Sequence, residues 1–284
     1  MVVVSSAALA PFPRFSRYNS PYPAHDAGTA VDLYPGSDDA PSPVAGEVVE
    51  TRTVACPDRP YAAAHDHLVV VDTGEYLARV LHVDPGVGPG DQVALGDSLG
   101  RLVRSGYFAP WVDNHIHLGF REYGTNAVRA TGSLPLSLDV PLEAVHWDGA
   151  GTVLETGETY AILDTPAHPA PGSIYAGIAD DSGAFVLDGG LPHYEWGGRL
   201  AVASAERGLV PDGGDGAEPV YFLDERVGTA RGETVHWHDV TVLANGDPIH
   251  GLSFFLGRTS LYAKLIDRDH SFSPGEDVIV EIEA

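Results

Sequence analysis

The sequence predicts an all-β protein. Three observations carry that expectation. Thirty-three glycines and 22 prolines punctuate the chain at short intervals. The segments between them alternate or run apolar over strand-like lengths, and no longer stretch holds a helical apolar stripe. In chain order, Gly46-Glu47-Val48-Val49-Glu50-Thr51 reads as a strand, and His67-Leu68-Val69-Val70-Val71 is an apolar run bounded by polar residues. Glu75 to His82 alternates, Asn114 to Phe120 continues the β pattern, and Tyr160-Ala161-Ile162-Leu163 is a further short strand. Leu200 to Arg207 is the one segment suited to two helical turns, and Pro211 to Gly216 reads as an exposed loop. The acidic pairs Asp38-Asp39 and Asp180-Asp181 stand in turn contexts and read as solvated surface.

A chain of 284 residues with 44% apolar content can bury one large β core or two ordinary ones. The strand pattern breaks between about Asn126 and Thr159, at Gly132-Ser133-Leu134-Pro135-Leu136 and Gly149-Ala150-Gly151. The expected organisation is an N-terminal extension over 1–19, a domain over 20–140 that carries the chemistry, and a β-rich domain of unassigned role over 155–284. There is no internal repeat.

Lys and Arg total 16 against 40 Asp and Glu, a formal net charge of −24. Such a chain repels phosphate backbones at long range, so nucleic acid is excluded as a partner. Lys264 is the only lysine. A carboxylate-rich, lysine-poor surface is the composition expected in a high-salt cytoplasm, where screening weakens self-repulsion. Cys56 is the single cysteine, which excludes an intrachain disulfide, a multi-thiolate zinc site and a CxxC redox motif. The N-terminal Met1 to Ala10 lacks a basic leader, and no segment approaches the roughly 18 apolar residues of a membrane span. The expectation is a soluble, cytoplasmic protein of unassigned oligomeric state, in which any metal is held by His and carboxylates.

Asn114-His115-Ile116-His117-Leu118 places two imidazoles on one face of one strand. Such a pair gives two metal ligands, or one ligand beside one acid-base group; alternation also produces such pairs by chance. Around it stand Ala24-His25-Asp26-Ala27-Gly28-Thr29-Ala30-Val31-Asp32 and Pro43-Val44-Ala45-Gly46-Glu47-Val48. Further on come Arg79-Val80-Leu81-His82 and Gly90-Asp91-Gln92-Val93-Ala94-Leu95-Gly96-Asp97-Ser98-Leu99-Gly100. His65-Asp66-His67 opens a strand and reads as solvent-facing or as support for a site. His236-Trp237-His238 repeats the HxH spacing, with Trp237 expected inward.

That succession resembles the LytM or lysostaphin-type zinc metallopeptidases of the M23 family, over about residues 20 to 125. The resemblance implies an antiparallel β-sandwich or barrel of the duplicated hybrid motif type, followed by the second β-rich block. It implies one zinc ion on His25, Asp32 and His117, with His82 and His115 as catalytic histidines of a hydrolase acting on a peptide or peptidoglycan-like substrate. The first motif departs from the family pattern: Gly28 stands where the first histidine ligand belongs, and Ala30 replaces a glycine. Either His25 reaches the metal through a longer turn at Gly28, with Asp26 supporting an imidazole, or the site is degenerate. In the second case the chain is a non-catalytic binding or assembly module with a partial site or none. Pro43 to Val48 and Gly90 to Val93 are also similar to biotinyl and lipoyl carriers, but those need a lysine at a hairpin tip, which Lys264 does not supply. The sugar-phosphotransferase IIA fold, with two histidines, is a further relative in pattern.

Overall fold

The computed structural model describes residues 1–129, 132–202, 216–268 and 272–284. Among these the chain is mostly β, with helix confined to the short turns Ser6–Leu9 and Pro23–Asp26. The contacts divide it into two units: Met1–Phe15 with Gly28–Val140, and Ser16–Ala27 with Pro141–Ala284.

In the first unit, strands Ala30–Tyr34, Ile116–Arg121, Leu77–Leu81, His65–Asp72, Gly46–Ala55 and Gln92–Val93 lie side by side in that order. Each neighbouring pair is antiparallel. The apolar run expected at His67 to Val71 forms an inner strand because both of its neighbours are paired. It turns into Leu77–Leu81 through Thr73 to Tyr76, where Gly74 takes φ +84° and Asp72 Oδ1 accepts its N–H. That left-handed residue suits glycine, which has no Cβ to clash. Asp39–Pro41, Ser98–Leu102 and Val83–Pro85 form a small antiparallel sheet. Val2–Ser5 pairs in parallel with Leu136–Asp139, so the antiparallel expectation holds for most of the unit but not all of it.

The second unit is built on a twelve-stranded antiparallel sheet curled into a half-barrel. Its core gathers Trp147, Leu163, Phe222, Trp237, Phe254 and Leu265, among others. Two tight hairpins are readable from their turn residues. Leu223 and Asp224 take φ +52° and +65°, and Asn245-Gly246 take +53° and +85°, the conformations that two-residue hairpin turns require. Asp181 accepts the N–H groups of both Leu223 and Asp224. Its neighbour Asp180 departs from the surface expectation. It is buried, accepting from Ser182 Oγ and Phe185 N, because the turn before Phe185–Leu191 needs an internal acceptor. Leu200 and Ala201 close the strand Trp196–Ala201 rather than opening a helix. Residues 203–207 of that expected helix, and 211–215 of the expected loop, lie outside the described residues. No helix among the described residues is long and apolar enough to cross a membrane.

Candidate metal centre

The site grows from strand register. His117 lies opposite Asp32 on one side and Leu81 on the other, and directly opposed residues of an antiparallel ladder share a face. This pairing brings residues 85 positions apart together: His117 Nδ1 lies 3.0 Å from Asp32 Oδ1. His115, two residues back on the same face, puts Nε2 3.3 Å from Asp32 Oδ2. His82 ends its strand in a left-handed conformation, φ +69°, uncommon for a residue with a Cβ. It is held there by His82 N–H to His67 O and Val103 N–H to His82 O. The twist turns its ring toward the pair, with centroids 5.3 Å from His115 and 6.0 Å from His117.

His25 sits on the short helix Pro23–Asp26. Its Nδ1 donates to the Arg17 carbonyl at 2.6 Å, so the carbonyl, rather than Asp26, is the partner that orients this imidazole. The Ser16-Arg17-Tyr18 stretch is gripped in turn by buried Asp188, which accepts from Ser16 Oγ at 2.5 Å, Arg17 N at 2.6 Å and Tyr18 N at 3.3 Å. Burial pushes the Asp188 carboxyl up to about 6 against those bonds. Gly28 takes φ +60°, the tight return that its place between His25 and Asp32 calls for. Asp32 and His117 in the first unit, with His25 in the second, are the His and Asp residues among those described that could hold a metal ion.

A carbonyl or ionised carboxylate only accepts, so an imidazole nitrogen bonded to one must carry the proton. Nδ1 is therefore the N–H of His25, bonded to Arg17 O, and of His115, bonded to Asp113 O at 2.9 Å. The same holds for His82, bonded to Asp66 Oδ2 at 2.6 Å. In the neutral imidazole the Nε2 of His82 and of His115 then carries a lone pair. Burial, against the attraction of Asp32, drives the His115 pKa down to about 4, so that ring is neutral at pH 7. Its Nε2 lone pair faces a carboxylate oxygen at 3.3 Å. Two acceptors in buried contact repel unless a cation or proton lies between them. Two imidazoles and one carboxylate are also the donor set that suits a borderline transition-metal ion.

Asp66 was not singled out as a site residue by sequence reasoning. Its carboxylate accepts from His82 Nδ1, from Ser105 Oγ at 2.6 Å and from His67 N at 2.7 Å. Burial raises its pKa, but the His82 bond and charge, with the Ser105 and His67 bonds, outweigh burial and hold it below the usual value. Period-two alternation was the available signal: His65 and His67 point outward and Asp66 inward. Phe108 stacks on His115 at 4.2 Å and meets the His82 ring edge-on at 4.6 Å, and Tyr34 packs against His115 at 4.9 Å. A depression of about 600 Å³ adjoins these residues in sequence, lined by Pro35, Asp38, Arg104, Asp113 and Asn114 among others. In the second unit Trp237 is buried and His236 exposed, as expected of that HxH.

A family profile described as the Domain of unknown function (DUF8155) N-terminal domain matches residues 3–138, and its C-terminal counterpart matches residues 143–283. The chain belongs to the DUF8155 family. This corrects the M23 assignment, and with it the duplicated hybrid motif fold and the cell-wall substrate that rested on that resemblance alone. The motifs that suggested it are short, and glycine-punctuated strands carrying HxH arise in unrelated β folds. A search of curated proteins finds no match to the DUF8155 chain.

Proposed function

We propose that this DUF8155 chain is a metal-dependent hydrolase that cleaves an amide bond of a peptide or related substrate, with one zinc ion on His25, Asp32 and His117. The observation that carries the reading is the cluster of His82, His115 and His117 at the buried Asp32 carboxylate, with the Nδ1 protons of His82 and His115 already committed to other acceptors. Such a set favours a cation and leaves acceptors for water protons. A divalent ion there would supply Lewis acidity and make water nucleophilic near neutral pH.

The chain's own groups supply the proton transfers. Asp66 fixes the His82 tautomer and stabilises the imidazolium formed when His82 Nε2 takes a proton from the attacking water. That proton then passes to the leaving nitrogen as the carbon–nitrogen bond breaks. His115 accepts a hydrogen bond from the water at Nε2 and orients it, its ring fixed by Asp113 O and Phe108. The depression beside Asp113 and Asn114 receives the substrate. The acidic composition supports a high-salt setting.

The test is metal content of the full chain purified without chelator, together with cleavage of a mixed peptide library. Near one zinc per chain, lost in Asp32→Ala, with cleavage abolished by His115→Ala, is the expected result. No metal at micromolar free zinc would overturn the proposal. The burial of His25, Asp32 and His115 favours a second reading, a structural metal in a non-catalytic module. Stoichiometric metal with no cleavage of any amide would select it.

A further inference from the structure

Residues 103–115 join Ser98–Leu102 to Ile116–Arg121 without regular structure, yet Ser105, Phe108, Trp111 and Val112 within them are buried. Carbonyls in such a stretch have no ladder to pair with and need donors of their own. Three of them meet one side chain. Arg104 donates through Nη1 to Val112 O, and through Nη2 to Ala109 O at 3.1 Å and Pro110 O at 3.0 Å. A guanidinium holds its donors in a rigid plane, so the carbonyls bound to it are fixed relative to one another. Tyr61 and Phe108 flank the group, with ring centroids 5.0 and 5.6 Å from its central carbon.

Asp113 directly follows Val112. Its carboxylate pairs with Arg14 at 2.6 Å, and its carbonyl accepts the Nδ1–H of His115 at 2.9 Å. At the other end of that ring, Nε2 lies 3.3 Å from Asp32 Oδ2. The one proton of the neutral imidazole therefore has two acceptors in competition for it. On Nδ1 it leaves Nε2 able to accept; on Nε2 it bonds to Asp32 and that capacity is lost. An ionised carboxylate is the stronger acceptor, and a free histidine side chain favours the Nε2–H form. The Nδ1–H form thus depends on a well-placed Asp113 carbonyl.

We propose that Arg104 is a positioning residue that keeps the His115 proton on Nδ1. By holding Val112 O it sets the Asp113 carbonyl against that nitrogen, and so leaves Nε2 to accept from water. The catalytic consequence rests on the hydrolase reading above; the tautomer does not.

The experiment records long-range proton–nitrogen correlations of the full chain, carrying isotope-labelled histidine, at pH 7. His115 and His82 are identified by the signals lost in His115→Gln and His82→Gln. The native chain should show the Nδ1–H form at both. In Arg104→Met, His115 should switch to Nε2–H, while His82, whose proton is held by Asp66 of His65–Asp72, keeps its form. Tyr61→Phe removes the bond from the Tyr61 hydroxyl to Phe108 O in the same loop and should leave both rings unchanged. Arg104→Lys keeps the charge without the planar fork, and is read in the same way where Arg104→Met fails to fold. His115 remaining Nδ1–H in a folded Arg104 variant overturns the proposal. So does an equal switch in Tyr61→Phe, or a switch of His82 together with His115, since either marks general loosening of the unit. Peptide cleavage, measured alongside, should fall about 10–100-fold in Arg104→Met. A native chain that cleaves no peptide while Arg104→Met switches the tautomer overturns the hydrolase reading and upholds the positioning role. Cleavage undiminished in a variant that has switched overturns the catalytic consequence.

Discussion

Replacing Asp66 by alanine should be among the most damaging single changes in the first unit. The carboxylate is fully buried and accepts three hydrogen bonds: His82 Nδ1–H, Ser105 Oγ–H and the His67 N–H. Each bond to a charged group contributes about 1.5–3 kcal/mol. Truncation strands donors on His82 and Ser105 that are themselves buried. The gain from no longer desolvating a carboxylate offsets part of that loss, and removing one partner from a buried charged pair typically costs about 3–5 kcal/mol. We expect a loss of about 4 kcal/mol, against about 1 kcal/mol for Ser105→Ala, which removes a single donor. Urea unfolding at pH 7, followed by tryptophan fluorescence, reads both. The pH dependence supplies an internal check. Asp66 has a depressed pKa in the folded chain, so its stabilisation is present above the unfolded value, about 3.9, and is lost as pH falls through the folded value. The gap between native and variant should therefore close below about pH 4. A loss under about 1 kcal/mol at pH 7, or a gap that persists in acid, would refute the argument that Asp66 anchors this network as a carboxylate.

Two further expectations concern the second unit. Asp188 titrates in the opposite sense: its folded pKa is raised to about 6 from 3.8, so its contribution is fully present below the unfolded value and is lost as pH rises through 6. About 3 kcal/mol should be lost between pH 4 and 7, seen as a slope of unfolding free energy in the native chain that is missing from Asp188→Asn. Gly198→Ala would place a Cβ 2.1 Å from the Tyr18 ring. Tyr18 must then shift together with Arg17, whose carbonyl holds His25. Stability should fall by about 1–3 kcal/mol, and zinc affinity, followed by competition with a chromogenic chelator, should fall in the folded variant as well; unchanged affinity would uncouple Tyr18 from His25.

Much of the β character was legible because it is a local property. Alternation reports strands directly, which is why Tyr160–Leu163 coincides with its expected bounds. The HxH pair was legible for the same reason, since a period of two places His115 and His117 on one face whatever the fold. The family was not legible in this way. A handful of His, Asp and Gly positions in order is compatible with several β folds, and the M23 reading gave way to a profile spanning nearly the whole chain.

The chain's composition determines by itself that it is acidic, nearly free of lysine and unable to form an intrachain disulfide or a multi-thiolate site, because these depend on residue counts alone. Only the tertiary structure decided which histidine nitrogens carry the proton. Arg17 O, Asp113 O and Asp66 Oδ2 each fix a proton on Nδ1, and of these acceptors only the one two residues from its histidine lies near it in sequence. It likewise decided that Asp66 lies beneath His82. Strand register sets such meetings, and register depends on how distant segments pair, which no single segment records.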